Sequence, residues 1–118
     1  GQSLKGRPIE WWKGVSWAME KRQFKVQDLL ATDRAVLRTM IELHKSKAPP
    51  EAYRLKGSAA RLSSQIEFLT AEGGLPVPPL LLETPAGSKI IDGFHRIAAL
   101  QICGSSESPQ PTWVGRHG

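Results

Sequence analysis

One cysteine, Cys103, stands among 118 residues. No intramolecular disulfide can form, and a disulfide-built secreted scaffold is excluded. That Cys and the three histidines, His44, His95 and His117, show no metal-ligand spacing, so no structural zinc site is expected. No apolar run approaches the roughly 20 residues of a membrane-crossing helix. No charged-then-apolar leader opens the chain, and the expected setting is cytoplasmic, with no membrane partner. Gly1 in place of Met reads as a trimmed chain. Walker-type loops, dinucleotide glycine patterns and internal repeats are all missing. Blocks of like charge are missing too. Sixteen Lys and Arg face 11 Asp and Glu, for a net charge of +5 and a pI near 9.7, but the cations are spread along the sequence. Basic charge favours polyanions through counterion release, and a merely solvated basic surface is the plainer account.

What is present fits one domain with a single core, 40% hydrophobic and 23% charged, ordinary values for a globular protein. Its organising stretch is Ser88 to Leu100. Ile90 and Ile91 are β-branched and suit a short strand. Asp92-Gly93 breaks it, and from Phe94 the apolar spacing turns helical, with Gly104 as its C-cap. His95 and Arg96 then fall in the first helical turn. The first N–H groups of a helix lack intrahelical partners and sit at the positive end of its dipole. A glycine admits an anion close to the backbone, and Arg96 adds a fork of charged donors. Phosphate is the natural ligand of such a turn. The plain alternative is a strand–helix connection with Asp92 as N-cap and both basic side chains solvated.

Elsewhere, residues 1–9 read as a polar lead-in. Ile9 to Glu20 holds three of the four Trp and reads as a helical arm, with Trp11, Val15 and Ala18 on one face. Trp11, Trp12 and Trp17 could stack on bases beside Lys13, Lys21 and Arg22, or pack on the core or a protein partner. Phe24 to Leu30 alternates as a strand. A helix over 34–47 is capped by Thr32-Asp33 and stopped by Pro49-Pro50. A second helix is capped by Ser58 and ended by Gly73-Gly74. Val77 to Leu82 and Ile90-Ile91 form a hairpin, and 111–115 a last strand.

The Asp92-Gly93-Phe94-His95-Arg96 turn, with Gly73 to Leu82 upstream and Phe24 to Leu30 as an opening strand, resembles the signature of the ParB/sulfiredoxin-like family over about residues 24–115. The resemblance implies an α+β fold, a small mixed β-sheet flanked by helices, with residues 1–23 as an N-terminal Trp-rich arm and 24–118 as the family domain. The sulfiredoxin branch needs a reactive Cys where this chain has Phe94. Cys103 sits at the helix end, where the dipole disfavours a thiolate. The CTP-binding partition branch carries Gly-Glu-Arg-Arg where this chain has Gly93-Phe94-His95-Arg96. The resemblance therefore implies a nucleoside triphosphate-binding and hydrolysing domain (an ATPase or DNase) acting on or near DNA, of a kind carried by plasmids and phages. ATP or CTP would be the nucleotide, with Mg²⁺. Gly93, Phe94 and His95 would offer N–H groups, Arg96 would pair with phosphate, His95 would move a proton, and Asp92 would position water or Mg²⁺. The alternatives are a non-catalytic module docking a protein through its Trp arm, and a small-molecule kinase using Glu72 or Glu83 as base.

Overall fold

The computed structural model describes residues 7–118, so the first six residues of the expected lead-in lie outside it. A short helix α1 (Ile9–Trp12) leads into β1 (Val15–Arg22), and α2 (Ala31–Lys45) and α3 (Ser58–Glu72) follow. Then come β2 (Leu80–Thr84), β3 (Gly87–Asp92), α4 (Phe94–Ile102) and β4 (Gln110–His117). The fold is the expected α+β class: a four-stranded mixed sheet in the order β1-β4-β2-β3 with helices packed against it. β1 and β4 are antiparallel, β4 and β2 parallel, and β2 and β3 form an antiparallel hairpin.

The core lies between the helices and one face of the sheet. Leu81 and Ile90 meet Leu37 and Met40 of α2, Leu62 and Leu69 of α3, and Ile97 to Leu100 of α4. Helix α4 is the hub, with four consecutive residues, Ile97, Ala98, Ala99 and Leu100, fully buried. Two alanines allow close approach from both α2 and α3, and burying Ile97 and Leu100 contributes about 1.5–3 kcal/mol each. No described helix is long and apolar enough to cross a membrane.

Three expectations are corrected. The Trp-rich stretch is not one helix: α1 ends at Trp12, and Val15–Arg22 is an edge strand paired residue for residue with β4. The spacing of Trp11, Val15 and Ala18 fits a helical face, but pairing with a distant strand decides the outcome. The strand expected over Phe24–Leu30 is a 3₁₀ turn at Val26–Asp28 plus a single bridge from Leu29 to Ser88. Phe24 and Leu29 are still buried there. The strand expected from Val77 begins at Leu80, because Pro78 and Pro79 cannot donate to the ladder.

Candidate functional site

Strand β3 ends at Asp92, Gly93 turns, and α4 starts at Phe94. Gly93 has φ 114°, and a Cβ there would lie 2.9 Å from the Pro79 side chain. Only glycine suits this position. The first bond into α4 runs from the Ile97 N–H to the Gly93 carbonyl at 2.9 Å, and no side chain caps the helix. The N–H groups of Phe94, His95 and Arg96 thus precede the helical ladder.

The side chains are disposed less simply than the sequence suggests. Asp92 is not an N-cap: its Oδ2 accepts from Arg96 Nη2 at 3.1 Å, and its side chain is 64% exposed. Arg96 Nη1 donates to the Pro78 carbonyl at 3.0 Å, leaving the side chain 16% exposed. Arg96 therefore clamps the chain leading into β2 rather than standing free in solvent. His95 Nε2 lies 2.7 Å from Ser58 Oγ. Ser58 was expected as a cap, but Gly57 takes that position in a left-handed conformation, and the buried Ser58 hydroxyl turns to His95. Burial, then the charges of Arg61 and Arg96, hold the His95 imidazole below its usual value, favouring the neutral ring.

The Ser58–His95 bond joins the first residue of α3 to the second residue of α4, so two helix N-termini meet there. Sequence reasoning missed this pairing. Ser58 and His95 are 37 residues apart, and nothing in either local pattern signals the other. Arg61, one turn into α3, is exposed, with Nη2 donating to the Lys56 carbonyl at 3.1 Å.

On the far side of the turn, Lys89 Nζ lies 5.6 Å from the Phe94 ring centre and 2.8 Å from Asp33 Oδ1. The kinase-type bases are not at the site. Glu72 closes the 15-residue α3, whose first residue holds His95, which puts it about 21 Å away along the helix. Glu83 is tied to Arg22 and Ser88. Among the described residues, no group of three or more His, Cys, Asp or Glu could hold a metal. Asp92 is the one carboxylate in the turn, so Mg²⁺ would have to arrive with phosphate oxygens and water rather than sit in a protein cage. Two surface concavities, one beside Arg34, Arg38 and Glu42 and the other beside Phe24, Gln101 and Glu107, contain no residue of the turn.

The three tryptophans of the arm separate. Trp11 stacks on His117, with ring centres 4.5 Å apart, and meets Trp12 edge-on; both are half-buried. Trp17 lies on the sheet. Compared with protein-family models, curated proteins and solved structures, the chain matches none.

Proposed function

We propose that the chain is a nucleotide-binding domain of the ParB/sulfiredoxin-like kind, taking the phosphates of ATP or CTP at the start of α4 and hydrolysing them on or near DNA. The observation that carries this reading is the meeting of the α3 and α4 N-termini at the Ser58–His95 bond. Both dipoles and their leading N–H groups favour an anion there. Within this reading Arg61 supplies the mobile cation. Arg96, already held by Asp92 and Pro78, fixes the turn and adds its field from behind. Neutral His95, oriented by Ser58, accepts or returns a proton as water attacks. Mg²⁺, when bound with the nucleotide, would neutralise charge developing on the phosphates.

Calorimetric titration of ATP and CTP with Mg²⁺ tests the site. Arg61→Ala should lose about ten-fold or more in affinity, the loss of a charge-assisted bond worth about 1.5–3 kcal/mol, with little change in stability. Arg96→Ala should lose both affinity and stability, since the Pro78 carbonyl is released. A bound phosphate favours the imidazolium, so binding takes up a proton and affinity should rise as pH falls below the ordinary histidine value of 6.5. Wild-type affinity in folded Arg61→Ala and His95→Ala, or no nucleotide binding at all, removes the proposal. A second reading is a binding module without turnover. It is favoured by one observation: the only carboxylate of the turn is paired with Arg96. Binding without phosphate release would select it.

A further inference from the structure

The sheet carries its helices on one face of the core strands, but β1 and β4 continue past them. Their register runs without a break from Val15↔His117 to Arg22↔Gln110. Partners across a ladder share a face, and successive residues alternate. One face of this ribbon therefore reads Val15, Trp17, Met19 and Lys21 on β1, and Pro111, Trp113, Gly115 and His117 on β4. Trp17, Met19 and Trp113 on it are 38%, 45% and 40% exposed. Trp17 lies flat over Gly115: a Cβ there would come 2.8–3.0 Å from three indole carbons. One face of the indole rests on backbone, and the side chain as a whole is partly exposed. Trp113 is the diagonal neighbour, opposite Met19. Farther along, Trp11 stacks on His117, and Arg7 lies 5.3 Å from the Trp11 ring centre.

Charge on this ribbon is sorted by face. The eight residues above include Lys21 and His117 and no carboxylate. Glu20 points to the other face, where it is paired with Arg116 and Arg22, and Arg22 also reaches Glu83. The hydrogen bond from Arg116 is the main reason that the Glu20 carboxyl stays below its ordinary value. The open face thus presents aromatic planes flanked by cations, with the acids tied down behind.

We infer that the open face of β1–β4 is a platform for single-stranded nucleic acid, with bases stacking on Trp17 and Trp113 and the backbone running past Lys21 and Arg7. Every base has a π-face, so such a surface needs no particular sequence, and a duplex, whose bases are already stacked, cannot use it. The platform does not depend on the nucleotide site: it uses no residue of the 92–96 turn, and each can fail alone. It gives the DNA-directed part of the proposed function a surface of its own.

The test is fluorescence anisotropy with labelled oligo(dT) of about sixteen nucleotides, the upper end of the site size of comparable surfaces, alongside a duplex of equal length. The wild type should bind the single strand in preference, with quenching of Trp emission and weakening in salt. Trp17→Leu, apolar but without a ring system, should lose about five-fold or more. Trp17→Phe should recover most of that loss, and both variants should keep nucleotide affinity. Lys21→Glu should weaken binding most at low salt. The inference is overturned by absence of oligo(dT) binding at low salt, by equal affinity for duplex, or by unchanged affinity in folded Trp17→Leu. It is also overturned if sedimentation shows that Trp17 instead holds two copies of the chain together, so that Trp17→Leu separates them without any oligonucleotide having bound.

Discussion

At the β3 edge of the sheet the outward backbone groups are answered by the chain itself. The Leu30 N–H donates to the Ser88 carbonyl at 3.0 Å, and the Ile90 N–H donates to Asp33 Oδ2 at 2.8 Å. At the β1 edge nothing comparable happens among the described residues. The Gly118 N–H reaches the Gly14 carbonyl at 3.3 Å, and the Trp113 N–H turns the other way, to the Pro79 carbonyl at 3.0 Å. Together these fix which residues of β1 face β4: the even-numbered ones. The N–H and C=O groups of Val15, Trp17, Met19 and Lys21 therefore point outward. Open edges invite pairing with other chains, and proteins usually cover or charge them. Here one edge is sealed by a 3₁₀ turn and a buried carboxylate. Among the described residues the other is left bare, guarded by Lys21 and by side chains that project above it. A sealed edge serves stability, and a bare one beside exposed aromatics is available for contacts.

The largest expected effect lies at the sealed edge. Asp33 is 2% exposed and bonds both Lys89 Nζ and the Ile90 N–H, each at 2.8 Å. Asp33→Ala leaves a cation and a backbone donor without partners, a loss of about 3–5 kcal/mol in urea unfolding. Asp33→Asn, which keeps an acceptor for one of them, should lose less. A cost under about 1 kcal/mol for Asp33→Ala would mean that the edge is not held from α2.

Alanine placed at one glycine on each side sharpens the contrast. Gly87 has φ 136°, and its Cβ would lie 2.9 Å from the Asp28 carbonyl oxygen, a backbone atom in the sealing turn. Gly87→Ala should cost about 1–3 kcal/mol through strain and should loosen the Leu29–Ser88 bridge. Gly115→Ala meets an obstacle just as close, at 2.8 Å, but that obstacle is the face of the Trp17 indole, a side chain that can lift toward solvent. Its cost should be about 1 kcal/mol or less, with a shift in Trp emission as the readout. Equal costs at the two glycines would show that Trp17 is held as firmly as backbone.

The same contrast explains what the sequence disclosed. Helices α2, α3 and α4 were legible because their apolar spacing is local, and Gly73, with φ 76°, ends α3 where a C-terminal glycine was expected. The β2–β3 hairpin and the turn at Gly93 were legible for the same reason. Strand β1 was not: Ala18, Met19, Glu20, Lys21 and Arg22 all favour helix, and the partner that makes them a strand lies some 90 residues away in β4. At the candidate site the turn and its donors were readable, but the Ser58 partner of His95 and the clamping role of Arg96 were not. Both depend on where α3 and Pro78 come to rest, and no local spacing encodes that. Thr32-Asp33 was read as a helix cap for the same reason, but α2 already begins at Ala31 after Leu30, no side chain caps it, and Asp33 is its third residue. Its position at the start of α2 is local, while its bonds to β3 are not.

The smallest effect is expected at Ala18, and it bears on the bare edge most directly. Ala18 is exposed on β1, a strand that packs mainly against β4. Its backbone groups point to β4, so a new side chain there disturbs neither edge pairing nor packing. Threonine favours extended structure over alanine, and at this exposed position Ala18→Thr should change stability by less than about 0.5 kcal/mol, in the stabilising direction. Urea unfolding at two protein concentrations measures it. A dilution-dependent loss larger than that would mean that a second copy packs against this strand in solution. The bare edge would then be an interface between copies rather than a free margin beside the tryptophans.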